Sequence, residues 1–465
     1  MMSPHHGRAC PIGANIREQA AITPPSHGRA CPTAVRHALC LKGCTALILL
    51  DSRRLRINWT RKGINAVQHQ NIVFHELLKH VPWPIFDQLV DKYGADADRW
   101  KVTTKAHLIA MLYAQLSGAR GLREIEAGLK SHAGKLYHLG GCEVSRSALG
   151  EANKERGCEV FGALLSALMR QLQRGYRRKV SDCVRLIDST NVRLSGLSAW
   201  AMFSPGVYGA KAHIIYDPDA DQPLYLVVTA ANVNDITAAK AMPIEAGATY
   251  VFDLGYYDYA WWAALHAQKC RFVTRLKHNT PFEVEESRPV LLGSSVTSDR
   301  TGYLPKRLAR SRNNPMSGLV REITVVIETG KVLRIVTNDL EASAEEIAEL
   351  YKRRWAIELF FRWVKQMLKI DHFHGTSENA VRIQIAVALI AFLLLRLAQD
   401  ANKGVVDSPQ TFALLIRANL MHRRPISELL KRPPPPDTRQ AVFDLAGSSA
   451  KKPPRRRLVP MGEAA

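Results

Sequence analysis

Val184-Arg185-Leu186-Ile187-Asp188-Ser189-Thr190 opens the part of the chain whose reading decides the fold. The apolar run Val184–Ile187 is followed by two more, Ala212–Tyr216 and Leu224–Thr229, with polar turns at Asp217-Pro218-Asp219 and Asp221-Gln222-Pro223. Short apolar runs joined by turn residues predict three successive antiparallel strands. Ile236–Met242 then has helical spacing, Tyr250–Phe252 reads as a strand, Tyr259–Ala267 as a helix and Arg271–Leu276 as a strand. The predicted order is β-β-β-α-β-α-β.

That order is the layout of a ribonuclease H-like core, which places the chain in the α/β class. Upstream, residues 67–175 carry helical periodicity throughout, from Phe74, Leu77 and Leu78 to a helix opened by Ser145 or Ser147. Downstream, residues 278–340 are polar and broken by Gly and Pro, then strand-like at Ile323–Ile327 and Val332–Thr337, which predicts a β-rich insertion. One long helix is predicted from Ala344 to Lys369, capped by Ser343 with Glu346 three residues on. The core therefore comprises 176–277 and 341–375, followed by a C-terminal helical region at 376–430 and a basic, Pro-rich tail at 431–465. Residues 1–66 repeat His-Gly-Arg-Ala-Cys-Pro at His6–Pro11 and His27–Pro32 without periodicity, and read as a disordered or spurious leader.

Over 465 residues, 64 Lys+Arg against 42 Asp+Glu give a net charge of +22. Such an excess points to a polyanion, with nucleic acid first, and makes 67–175 a predicted DNA-binding domain. Arg146, Lys154 and Arg156 lie where a helix-turn-helix would set them against phosphates. The longest apolar run, Val387–Leu395 within Ile383–Leu397, falls short of the ~20 residues a spanning helix needs and reads as a buried helix. Among the eight cysteines no two pairs have matched C-x2-C spacing, which gives a structural zinc site no support. No GxGxxG or P-loop marks a nucleotide cofactor.

Phosphodiester chemistry without a covalent nucleophile commonly uses two divalent ions held by carboxylates. Asp188 directly follows the first predicted strand, and Asp253, followed by Leu254-Gly255-Tyr256, directly follows Tyr250–Phe252. One strand-end Asp is more often a turn former, but two on neighbouring strands favour function. On the long helix, at ~100° per residue, Tyr351, Arg354, Glu358 and Lys365 share roughly 60° of arc beside an apolar stripe. Asp217, Asp235 and Asp258 are rival acids, of which Asp217 is set aside because Pro218 marks a turn. Lys211 and His213, on the second strand, are candidate contacts to the scissile DNA.

The spacing Tyr351-x2-Arg354-x3-Glu358-x6-Lys365 resembles the signature of DDE transposases of insertion-sequence family four. The resemblance extends to Asp188-Ser189-Thr190, Asp253-Leu254-Gly255-Tyr256, Thr337-Asn338-Asp339-Leu340 and the helical segment 74–129, covering about residues 70–400. It implies a ribonuclease H-like catalytic domain interrupted by the β-rich insertion, with Asp188, Asp253 and Glu358 binding two Mg2+ or Mn2+ ions. It implies metal-dependent nicking at terminal inverted repeats, strand transfer by the freed 3′-hydroxyl into target DNA, and phosphate contacts by Tyr351, Arg354 and Lys365. Double-stranded DNA, a homodimer in a synaptic complex, and a bacterial cytoplasmic, nucleoid-associated setting follow from the same resemblance. Hairpin-forming members stack a flipped base on an aromatic side chain, and 278–340 contains no Trp, so the hairpin step stays open. The competing reading is a degenerate relic that binds DNA without cutting it.

Overall fold

The computed structural model describes residues 72–97, 102–173, 179–291, 293–307, 313–368 and 373–430. The readings of 1–66 and of the tail at 431–465 lie outside these residues. Among the described residues seven α-helices come first: α1 (Val73–Leu78), α2 (Trp83–Lys92), α3 (Thr104–Ser117), α4 (Leu122–Ser131), α5 (Ala133–Leu136), α6 (Arg146–Glu155) and α7 (Glu159–Gln173). Capping side chains set their starts. Thr103 accepts the Ala106 N–H to open α3, and Ser145 accepts that of Ala148 to open α6. Gly118, at φ 77°, closes α3 in the left-handed conformation that glycine adopts freely.

The sheet begins with β1 (Val184–Arg193), β2 (Met202–Ser204), β3 (Val207–Asp217) and β4 (Gln222–Ala230), then α8 (Asp235–Lys240), β5 (Thr249–Phe252), α9 (Tyr259–Ala267) and β6 (Arg271–Arg275). The anticipated β-β-β-α-β-α-β order is present, with the small extra strand β2 between the first two. The strands β7 (Glu283–Arg288), β8 (Val296–Tyr303), β9 (Val320–Val326) and β10 (Val332–Thr337) follow. Strand order is β2-β3-β1-β5-β6-β10-β9-β8-β7, with β4 on β3. β1 runs antiparallel to β3 and parallel to β5, and β5 runs parallel to β6. β10 pairs antiparallel with β6, so the 278–340 strands continue the same sheet instead of standing apart from it.

Alternation along the strands sorts two cores. Leu186, Ile214 and Val251 pack beneath the larger helical layer, while Ile187, Ile215 and Phe252 pack with Trp261 and Trp262 of α9 on the other face. After the sheet come α10 (Ala344–Arg353), α11 (Trp355–Leu368), α12 (Glu378–Ala401) and α13 (Pro409–Asn419). The Ser343–Glu346 capping box opens α10 as the sequence indicates. The single helix expected from Ala344 to Lys369 is instead two, meeting at Arg354. There the Arg354 N–H bonds to Tyr351 O and Ile357 N–H to Arg354 O, three residues apart rather than four, which tightens the turn.

Ile357, Phe360, Phe361, Val364 and Leu368 bury one face of α11, and the Phe360 ring sits 4.9 Å from that of Tyr216 on β3. At ~1.5–3 kcal/mol for each fully buried large side chain, this stripe fixes α11 over the sheet. α12 is long and apolar enough to cross a bilayer by composition, yet it is buried among α1, α3, α6, α7, α11 and α13. The first and last helices thereby share one core.

Candidate active site

Asp188 does not end its strand, as the sequence suggested. β1 runs on to Arg193 because Ser189-Thr190-Asn191-Val192 keep pairing with β3, and Asp188 lies opposite Ile214. What ends near Asp188 is the parallel ladder to β5, whose last pair is Ile187–Phe252. Asp188 and Asp253 therefore both follow the last paired residues of neighbouring strands, at the carboxyl end of the parallel pair. Asp188 lies two residues past Leu186, on the face that α11 covers.

The α10–α11 junction delivers the other charges to this point. One guanidinium nitrogen of Arg354 is 2.6 Å from Glu358 and another is 3.7 Å from Asp188. Asp188 accepts the Ser189 backbone N–H at 2.7 Å, and Asp253 accepts that of Gly255 at 2.8 Å. Burial, with the charges of Asp253 and Glu358 and against the Ser189 N–H and Arg354, pushes the Asp188 carboxyl up to about 7. Tyr351 is buried with its ring 5.8 Å from the Arg354 guanidinium, and burial raises its hydroxyl pKa against the pull of Arg354 and Arg275.

The structure thus brings Asp188, Asp253, Glu358, Arg354 and Tyr351 together. Lys365 lies half-buried two helical turns beyond Glu358 on α11. Arg146 stands apart, exposed at the start of α6. Lys211 is not a free surface lysine: its ammonium donates to Asp235 at 3.1 Å and to Val233 O at 3.0 Å. His213 is corrected as a DNA contact, because its side chain is wholly buried and bonds Thr229 at 2.9 Å, leaving no ring nitrogen exposed.

Asp235 is the residue that sequence reasoning weighed only as a rival. It accepts the Ser189 hydroxyl at 2.8 Å as well as the Lys211 ammonium, and His213 Nδ1 lies 3.6 Å away. A Cβ placed on Gly255 would stand 3.0 Å from Asp253 Oδ1 and 3.3 Å from Asp235 Oδ2, so the two acids flank this glycine closely. Tyr256 is buried beside the group, its hydroxyl pKa pushed well up by burial and by Asp188, Asp235 and Asp253. The available signal was the Asn234-Asp235 step between a strand and a helix. Asp217 and Asp258 have structural duties instead: Asp217 pairs with buried Arg185 at 3.0 Å, and Asp258 caps α9 and meets Lys240 at 2.7 Å.

The donors Asp188, Asp253 and Glu358 are all hard carboxylate oxygens, and burial and the neighbouring acids raise the Asp188 carboxyl. That chemistry fits a Mg2+-like cation. In the present geometry, among the described residues, no three His, Cys, Asp or Glu side chains are drawn together closely enough to hold an ion. Arg354 spans Asp188 and Glu358 instead.

Comparison with known proteins follows the same lines. A family model described as a transposase DDE domain matches residues 179–394, and one described as a domain of unknown function matches residues 69–142. A Sinorhizobium fredii protein named as a transposase is 41% identical over 62% of this chain and 80% of its own. A Geobacillus stearothermophilus protein named as the transposase for insertion sequence element IS5377 is 31% identical over 58% of this chain and 72% of its own. A solved piggyBac transposase synaptic complex with hairpin DNA aligns over 83% of this chain and 85% of that one, at TM-score 0.39 and 10% identity, too distant to define the fold.

Proposed function

The chain belongs to the DDE transposases, and from that premise we propose that it binds the terminal inverted repeats of an insertion sequence and cuts and rejoins DNA there, with Asp188, Asp253 and Glu358 as the catalytic carboxylates. The observation that supports the reading is that Asp188 on β1, Asp253 just past β5 and Glu358 on α11 lie near enough for the two other acids to raise the Asp188 carboxyl, with Arg354 bridging Asp188 and Glu358. The β4-β3-β1-β5-β6 portion of the sheet, three antiparallel strands followed by two parallel ones, supports a ribonuclease H-like core. Its partner is double-stranded DNA, taken as paired ends by a homodimer.

Bound at these carboxylates, Mg2+ or Mn2+ would supply Lewis-acid activation of the attacking oxygen and charge neutralisation at the leaving one. The chain's own residues hold the donors in place. The Ser189 and Gly255 N–H groups orient Asp188 and Asp253, and Asp235 ties Ser189 and Lys211 to the same end of the sheet. Arg354 restrains Glu358 and offers a guanidinium fork that a scissile phosphate can take over. Tyr351 packs behind that guanidinium and fixes its angle. Lys365 contributes a further phosphate contact along α11.

The test is cleavage of a labelled duplex carrying the element's own terminal repeat, with Mg2+ or Mn2+, alongside Asp188→Ala and Glu358→Gln. Nicking at the repeat boundary that both variants lose supports the reading. Binding without nicking in either metal makes the chain a non-cutting relic, and absence of any DNA binding overturns the proposal.

A further inference from the structure

Three arginines from two stretches of the helical layer meet around one groove. Arg120 precedes α4, Arg123 lies in its first turn, and Arg146 is the first residue of α6. With Ser147 they line a groove of ≈ 580 Å³. The two helices are held together where they begin: a Cβ on Gly150, one turn past Arg146, would be 3.5 Å from Leu122 of α4. All three arginines are exposed, and none has a carboxylate partner among the described residues. Glu124 also lines the groove, but its carboxylate is engaged with the Arg120 backbone N–H at 2.8 Å.

This placement opposes a local rule. Helix N-termini already carry partial positive charge from unpaired N–H groups, so cations there are unfavourable and acids are preferred. α6 has no acid in its first turn, and begins on an arginine. Like charges gathered at two positive helix ends become favourable when an anion lies across them. The other basic residues that the sequence set beside Arg146 do different work. Arg156 is buried, donating to Val102 O at 2.5 Å, and Lys154 lies at the far end of α6.

We propose that Arg120, Arg123 and Arg146 form a binding groove for the DNA sugar-phosphate backbone, away from the catalytic carboxylates. The inference rests on the DNA-transposase reading above and deepens it. Arg120 and Arg123 fall in the segment 69–142 that matches a domain of unknown function, and the groove assigns that segment a part in holding DNA. The contact reads the backbone, so it is independent of sequence and contributes equally to end and non-end DNA.

The test uses the full chain and fluorescein-labelled duplexes, one carrying the terminal repeat and one of arbitrary sequence, with affinity measured across a salt series. The variants are the triple Arg→Gln at positions 120, 123 and 146 and the triple Arg→Lys. At a slope near −0.9 per neutralised phosphate, the Gln triple should flatten the log affinity against log salt slope by about 2–3 on both duplexes, and the Lys triple should keep it. Without DNA, the Gln triple should melt no lower than wild type, since repulsion at two helix ends is relieved; a drop would mark the arginines as structural and overturn the proposal. An unchanged slope in a wild type that binds DNA also overturns it. Absence of DNA binding by the wild type would instead defeat the transposase reading on which it rests.

Discussion

Replacing Asp188 with Asn should make the metal-free protein more stable at alkaline pH while abolishing its chemistry. The Asp188 carboxyl, normally ionised above pH 3.8, is pushed up to about 7 by burial and by Asp253 and Glu358. Above pH 7 the folded protein must carry this charge in a place that disfavours it, whereas the unfolded chain carries it freely. At about 1.4 kcal/mol per tenfold change in ionisation constant, the penalty is on the order of 4 kcal/mol as an upper bound, since the side chain retains 16% exposure. The sign follows from a raised folded-state pKa: this stability is complete below pH 3.8 and is lost as pH rises through 7. Asn keeps the oxygen that accepts the Ser189 N–H and sheds the charge. Urea denaturation of both proteins with chelator, at acid and alkaline pH, should show Asp188→Asn gaining on wild type as pH rises. Addition of Mn2+ should reverse the order, because an ion that binds the folded wild type alone stabilises it by about 2.7 kcal/mol at a hundred times its dissociation constant. A variant that is less stable than wild type under every condition, or a difference independent of pH and metal, would refute the view of Asp188 as a carboxylate held in readiness for a cation.

Four further outcomes are expected. Glu358→Gln should remove strand cleavage and leave end binding nearly intact in a mobility-shift assay; equal loss of both would make Glu358 structural. Asp235→Asn deprives Lys211 of its partner at 3.1 Å and should cost about 1–3 kcal/mol while lowering cleavage more than DNA affinity, checked by melting and single-turnover kinetics. His213, ordinarily half-protonated at 6.5, is held down to about 4, chiefly by burial, so stability should fall as pH drops from 6.5 through 4, by on the order of 3 kcal/mol. His213→Gln, measured in the Asp188→Asn background to remove the opposing slope, should flatten that acid limb. Arg321→Met strands buried Asp299, which Arg321 meets at 2.6 and 2.7 Å, and should cost ~3–5 kcal/mol in urea unfolding.

Local signals carried much of this protein. Apolar runs between turn residues marked β1, β3, β4, β5 and β6, the Ser343–Glu346 pair marked the start of α10, and the apolar stripe of α11 marked the face that packs on the sheet. These depend on short-range periodicity and capping, which a chain displays without its neighbours. The same spacing placed Tyr351, Arg354 and Glu358 on one face, and the structure joins all three at the candidate site.

Tertiary structure decided the rest, because pairing and burial depend on partners distant in sequence. Asp188 looked like a strand end, since polar Ser189-Thr190-Asn191 follow it, but backbone pairing with β3 is indifferent to those side chains and carries β1 five residues further. Lys211 and His213 resemble surface groups in sequence, and only Asp235 and Thr229, brought in from the next strand and helix, show where they are spent. Arg120, Arg123 and Arg146 form a groove only once α4 and α6 begin side by side. Residue types and their spacing thus determined which chemistry the chain can carry, while the fold determined which carboxylates share a charge field and which cations stay exposed, because electrostatic coupling follows distance in space.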